Sequence, residues 1–168
     1  MLAKKSLGQH FLHNERVLQT IIETANIVSG ETVLEVGPGT GVLTAALLQA
    51  GARVITVEKD DQLIGFLQNK FAEAIKNKQL ELIHADILDF LKVNTYKLKA
   101  DYKLVSNIPY YLTGQILRRF LTAQNQPRAM VLMLQKEVAE RIVARDGKES
   151  ILSISVKVYG AARYITTV

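Results

Sequence analysis

Seven residues, Glu35-Val36-Gly37-Pro38-Gly39-Thr40-Gly41, constrain this chain more than any other stretch. Before them runs Thr32-Val33-Leu34, short, apolar and partly β-branched, as a buried parallel strand should be. After them comes Val42-Leu43-Thr44-Ala45-Ala46-Leu47-Leu48, a helical pattern closed by Gly51. The glycines therefore occupy a strand-to-helix turn. Glycine suits such a turn because it adopts positive φ and carries no Cβ, so a ligand can lie against the main chain. The helix that follows offers free N–H groups and the positive end of its dipole. A nucleotide-like ligand is the reading that results.

The loop also narrows the ligand. A pyrophosphate site reads Gly-x-Gly-x-x-Gly. Here the pattern is acidic-x-Gly-x-Gly-x-Gly, and Pro38 removes one N–H. Fewer donors and a leading carboxylate, Glu35, suit a cationic ligand without phosphate. Glu58 closes the next apolar run, Arg53-Val54-Ile55-Thr56-Val57, and is placed to grip a ribose. The expected ligand is an adenosine-containing cofactor.

Strand and helix patterns alternate along the rest of the chain. Asn14 reads as the N-cap of a helix through Ala25. A helix beginning near Asp60 keeps Leu63, Ile64, Leu67, Phe71, Ala74 and Ile75 on one face. Leu80–His84 is a third strand, followed by a short helix from Ile87 to Leu91. The lysine-rich segment 93–100 reads as a surface connection. A fourth strand spans Asp101–Ser106. Thr113 is expected to cap a helix bearing Ile116, Leu117, Phe120 and Leu121. Arg128–Leu134 is a fifth strand and Gln135–Arg145 a helix, with residues 145–149 as a loop. Ile151–Val158 and Arg163–Val168 read as two last strands. The alternation predicts an α/β fold, a Rossmann-like sheet of seven mostly parallel strands with helices on both faces. Ligands of such sheets lie at the carboxyl ends of the strands. Gly37–Gly41, Glu58, Asp86 and Asn107–Tyr110 all fall at such ends.

With 168 residues, 48% of them apolar, the chain can bury the core of one domain. It has no cysteine, which excludes disulfides and thiolate metal sites and suits a reducing, cytoplasmic setting. No apolar run reaches membrane-spanning length, and no membrane partner is expected. A net charge of +5 favours a polyanionic partner such as nucleic acid. His10 and His13 have metal-compatible spacing but no third ligand, so no metal is expected.

The rim residues suggest a reaction. Asp86 can accept from an exocyclic amine, or cap the helix at Ile87. Asn107-Ile108-Pro109-Tyr110 joins an amide oxygen, a carbonyl aimed outward by the extended residue before proline, and an aromatic face. Together they suit a flat base bearing an NH₂ group. Its ring would stack on Tyr110, and its amine would donate to Asn107 and to the Ile108 carbonyl. Two acceptors favour a more pyramidal nitrogen and support the positive charge that develops on it. A proline turn with a packed tyrosine is the structural alternative. Arg118, Arg119, Lys136, Arg141, Arg145 and Lys148 are candidates for a phosphate-binding face, although Lys136–Glu140 and Glu137–Arg141 are also ordinary helix pairs.

Taken with Lys5–Leu12, Val57–Asp60, His84–Asp86 and Leu134–Ala139, the loop and the Asn-x-Pro-Tyr element closely resemble the ribosomal RNA adenine dimethyltransferases. Within that family, the bacterial small-subunit enzymes are the nearest match. The resemblance implies a class I S-adenosylmethionine-dependent methyltransferase that dimethylates the amines of two adjacent adenosines in small-subunit RNA during ribosome maturation. It implies cofactor contacts at His10, Leu12, Gly37, Glu58, Asp86 and Asn107, with Gly39 on the same loop. Asn107, Ile108, Pro109 and Tyr110 would be the catalytic element. Ribosomal RNA, in an immature small subunit, is the implied partner, and a monomer is expected. Residues 1–168 read as a single catalytic domain, with the family's small helical C-terminal domain absent. Two positions depart from the family. Histidine 10 stands where asparagine is common, and Ser150–Ser153 replaces a frequent Tyr-Gly pair. Rival readings are the same chemistry on large-subunit RNA, a non-catalytic ribosome-assembly or RNA-binding factor, and an NAD-dependent oxidoreductase. The last conflicts with Pro38 and with Asn-x-Pro-Tyr.

Overall fold

Thr32–Val36 forms β1, and it pairs in parallel on both sides. On one side lies β2, Arg53–Glu58, with Glu35 opposite Thr56. On the other lies β4, Tyr102–Asn107, with Leu34 opposite Leu104. β3, Leu80–His84, extends the β2 side, and β5, Ala129–Met133, extends the β4 side. The order is β3-β2-β1-β4-β5, all parallel. Strand order reverses between β1 and β4, where a Rossmann-like sheet opens its ligand crevice. A computed structural model supplies this description for residues 14–93, 98, 101–145 and 148–167.

The central strands are apolar on both sides because helices cover both faces. Against one face pack α1 (Glu15–Ala25), α2 (Val42–Gln49) and α3 (Asp61–Lys70), where Ile21, Leu47 and Leu67 meet Val33, Val54 and Val105. α4, Ala72–Lys76, continues from α3. Against the other face pack α5 (Ile87–Val93) and α6 (Thr113–Leu121), where Phe90, Ile116 and Phe120 meet Leu34, Ile55 and Leu104. A third cluster joins α6 to α7 (Lys136–Val143) and α8 (Ile151–Tyr159) through Leu117, Leu121, Ile142 and Val156. No helix among the described residues is long and apolar enough to cross a membrane.

Local signals decide the starts of α1 and α3. Asn14 Oδ1 accepts from the N–H groups of Arg16 and Val17, and Asp60 Oδ1 from that of Gln62. Three expectations need correction. The helix expected to run from Asp60 through Ile75 breaks at Phe71 (φ −113°, ψ 25°), whose ring packs toward Gly41. Thr113 is the first residue of α6, buried, and not its cap; a single 3₁₀ turn, Tyr110–Leu112, leads into it. The seven-stranded sheet has five strands among the described residues. Ile151–Val158, expected as a strand, lies in helix α8, and residues 163–167 form no strand. The alternation Ser153-Ile154-Ser155-Val156-Lys157-Val158 mimics a strand. Ser150, whose Oγ accepts from the Ser153 N–H at 3.2 Å, caps a helix instead. Ser153 and Val156, one turn apart, are the residues that helix buries.

Candidate active site

The carboxyl ends of β1 to β4 surround one cavity. Its wall carries Gly37, Pro38, Gly39, Glu58, Asp86 and the run Asn107–Tyr110. Gly37, Gly39 and Gly41 all have positive φ, at 65°, 58° and 75°. The loop is tied down from several sides. Gly37 N–H donates to the Val57 carbonyl at 2.9 Å, and Gly41 N–H to that of Pro38 at 2.9 Å. Lys70 Nζ reaches across from α3 to the Thr40 carbonyl at 2.8 Å. Beneath the loop, Thr44 Oγ1 donates to Glu35 Oε2 at 2.6 Å.

Glu58 is held by the backbone that follows it. Its Oε1 accepts from the N–H groups of Lys59 and Asp60, both at 2.8 Å. Burial raises its carboxyl above the usual range, against the pull of those N–H groups and that of Gly39. Asp86 behaves oppositely. Lys59 Nζ donates to its Oδ2 at 2.8 Å, and this bond holds the carboxyl below its ordinary value. Asp86 Oδ1 accepts from the Leu88 N–H at 2.9 Å, so Asp86 caps α5 as well as lining the cavity. Both readings of Asp86 are therefore compatible in one geometry. Across the switch in strand order, Ser106 Oγ donates to the Val36 carbonyl at 2.7 Å and locks β4 to β1. That lock fixes Asn107 and the buried Ile108 relative to the glycine loop. Pro109 lies within van der Waals reach of a Cβ placed on Gly37, which brings the two motifs into contact.

The whole chain, residues 1–168, matches the family described as ribosomal RNA adenine dimethylase. The chain belongs to that family. The match is not confined to the glycine loop that many Rossmann-like sheets share. The chain is 45% identical over 166 residues to the ribosomal RNA small subunit methyltransferase A of Dehalococcoides mccartyi, covering 99% of this chain and 56% of that protein. Among solved structures, it resembles a dimethyladenosine transferase from Plasmodium falciparum, with TM-score 0.73 and 33% identity over 89% of this chain and 52% of that one. It also resembles the 23S rRNA methyltransferase ErmE, with TM-score 0.67 and 28% identity over 80% of this chain and 51% of that one. The chain spans about half the length of the curated relatives it matches.

Of the residues singled out in the sequence, Gly37, Gly39, Glu58, Asp86, Asn107, Ile108, Pro109 and Tyr110 line this cavity. His10 and Leu12 lie outside the described residues, as does most of the lysine-rich connection at 93–100. No group of three metal-ligating side chains occurs among the described residues. Arg118, Arg119, Lys136, Arg141, Arg145 and Lys148 are exposed, and Lys136 lies 3.9 Å from Glu140 as an ordinary helix pair. Sequence reasoning gave Lys59 no role of its own, yet it lines the cavity and holds Asp86. Its position directly after Glu58, at a strand end, was the available signal.

Proposed function

We propose that this chain is the catalytic part of a ribosomal RNA adenine dimethyltransferase that acts on small-subunit RNA. The observation that carries the reading is the single cavity shared by the glycine loop, Glu58, Asp86 and Asn107–Tyr110. The residues present suit S-adenosylmethionine. Gly37 and Gly39, both at positive φ, put no side chain into the cavity they line, and Pro38 leaves no full phosphate cradle. Glu58 and Asp86 are acceptors on neighbouring strand ends, matched to ribose hydroxyls and an adenine amine, which are donors. The cofactor supplies an electrophilic methyl group on a sulfonium.

The chain's own residues do the rest. Gly37 and Gly39 let the cofactor lie against the backbone. Glu58 holds its ribose and Asp86 its adenine amine, with Lys59 keeping Asp86 ionised and aimed. By the family resemblance, His10 and Leu12 would add further cofactor contacts. The target adenine stacks on Tyr110, a contact worth about 1–3 kcal/mol. Its exocyclic amine donates to Asn107 and to the Ile108 carbonyl, which also gives Asn107 a place beside the cofactor. Pro109 keeps Ile108 extended so that its carbonyl points at the amine. The amine is a weak nucleophile because its lone pair is delocalised into the ring. Two fixed acceptors stabilise the positive charge that grows on nitrogen, and alignment with the methyl group removes the cost of orientation. Each methylated nitrogen would then lose one proton to solvent, and the reaction would repeat on the same nitrogen and on the adjacent adenosine. The small-subunit relatives at 40–45% identity favour that RNA over the large-subunit substrate named for the structure at 28%.

The test is methyl transfer from labelled S-adenosylmethionine to immature small ribosomal subunits and, in parallel, to naked large-subunit RNA, each digested to nucleosides. Dimethyladenosine from the subunits is the expected product. Product from the large-subunit RNA alone would transfer the reading to that substrate. Cofactor binding without product on either would leave an RNA-binding or assembly factor.

A further inference from the structure

β1 carries a carboxylic acid, Glu35, to a place water hardly reaches. The residue is 1% exposed and forms part of the cavity floor beneath α2. Three groups surround its carboxyl. From α2, Thr44 donates at 2.6 Å. From β2, opposite in register, comes Thr56, equally buried. Its Oγ1 is the buried side-chain polar atom among the described residues that has no hydrogen-bond partner. Also from β2 comes Glu58, the titratable group that faces Glu35; its charge opposes a second one there. Burial pushes the Glu35 carboxyl up to about 7, while the two threonine hydroxyls favour its charged form.

We propose that Glu35 is a positioning residue whose carboxylic acid gives up its proton as a cationic cofactor fills the cavity, the resulting carboxylate then clamping Thr44 and Thr56 so that α2 and the glycine loop are fixed to the sheet. This rests on the S-adenosylmethionine reading above. One O–H bond breaks, the proton passes to solvent, and nothing is oxidised or reduced. The Thr56 hydroxyl, which sits opposite Glu35 without a close hydrogen bond, gains a charged acceptor in this change. A neutral acid must place its own O–H, whereas a carboxylate is acceptor-only and has room for both hydroxyls. The neutral acid can at most donate its single O–H to Thr56 Oγ1, so loss of the proton turns Thr56 into a donor and fixes both hydroxyls on one carboxylate. The sulfonium and ammonium charges of the cofactor supply the attraction that offsets desolvation.

Calorimetric titration with S-adenosylmethionine, in buffers of different ionisation enthalpy, reads the proton directly. With a carboxyl near 7, the unmutated chain should release close to one proton at about pH 6 and almost none at about pH 8.5. Glu35→Gln should release none through this group. Its loss of affinity relative to the unmutated chain should grow about tenfold from the lower pH to the higher. A merely structural role gives a loss that does not change with pH. Thr44→Val keeps the acid but removes a donor, so its proton release should persist to higher pH. This serves as the second arm if Glu35→Gln does not fold. Equal proton release in all three chains would overturn the proposal. A ligand-free arm separates it from the cofactor reading. Between about pH 5 and 8, melting of the unmutated chain should fall relative to Glu35→Gln, because the raised carboxyl stabilises only while protonated. Parallel melting curves would overturn the proposal even if the cofactor binds. Failure of the unmutated chain to bind S-adenosylmethionine would overturn the coupling together with the cofactor reading, whatever the melting curves show.

Discussion

Gly41→Ala should destabilise the chain through two separable effects. Gly41 has φ 75°, a conformation that costs an L residue about 1–2 kcal/mol. An added Cβ would also stand 2.5 Å from Phe71 Cε2, 2.9 Å from Cζ and 3.0 Å from Leu67 Cδ2. Both neighbours are buried, so neither can swing into solvent. Overpacking of that kind adds about 1–3 kcal/mol, for a total of about 2–5. In a chain of this size each kcal/mol lowers the melting temperature by about 2–4 °C, so a fall of roughly 4–20 °C is expected. Gly37→Ala is the internal control. It has the same sign of φ, at 65°, but its Cβ would meet only the Pro109 ring, Cγ at 3.7 Å and Cδ at 3.8 Å. Its stability cost should therefore be the backbone part alone, about 1–2 kcal/mol. Its effect on S-adenosylmethionine affinity should be the greater of the two, because that Cβ stands on the cavity wall. Urea denaturation reads the first quantity and calorimetric titration the second. Pairing Gly41→Ala with Phe71→Leu should recover part of the loss, never the backbone part. Equal destabilisation by the two alanines, or no recovery in the double variant, would refute the assignment of the excess to Phe71.

Asp86→Ala should weaken S-adenosylmethionine binding by the worth of a charged hydrogen bond, about 1.5–3 kcal/mol, whereas Tyr110→Ala should leave cofactor affinity near normal and lower methyl transfer; equal losses of affinity in both would refute the split. Lys103→Met should cost about 3 kcal/mol of stability by urea denaturation, because Lys103 Nζ is buried against the carbonyls of Ala25 and Asn26 and bonds Glu31 Oε2, all at 2.8 Å. The Glu31 carboxyl is raised by burial, but the bonds from Lys103 and the Val28 N–H and the nearby Arg128 charge bring it below its ordinary value. Its contribution is therefore present above the unfolded value near 4.5 and lost as pH falls through the lower folded one. The Lys103→Met variant should show a shallower acid slope, and an unchanged slope would count against the assignment. Ser150→Ala should remove the α8 cap and lower stability by about 1 kcal/mol, measured the same way.

The site was legible in the sequence because its determinants are local. A glycine turn is written in consecutive residues, and so is Asn107-Ile108-Pro109-Tyr110. The rule that parallel strands present ligands at their carboxyl ends then brings separate motifs onto one rim without any knowledge of contacts. What escaped reading depends on partners distant in sequence. Phe71 breaks a helix whose apolar spacing continues through Ile75, and its ring faces Gly41, which no local pattern connects to it. Glu31, Lys103 and Arg128 are three ordinary charged residues in the sequence, and only folding joins them into one cluster at the amino end of the sheet. α8 failed for a different reason. Ile154, Val156 and Val158 alternate with polar residues and are β-branched, so intrinsic preference and periodicity both favoured a strand. The deciding features are the burial of Ser153 and Val156 on the inner face of α8 and the Ser150 cap. Tertiary packing overrode propensity there, and it did so away from the rim, which is why the error in strand number did not move the rim residues apart. The same division applies to Glu35. Its charge in the sequence suggested a ligand for a cation, but its depth beneath α2, with Thr44 donating to it and Thr56 opposite, appears only once β1, β2 and α2 are in register.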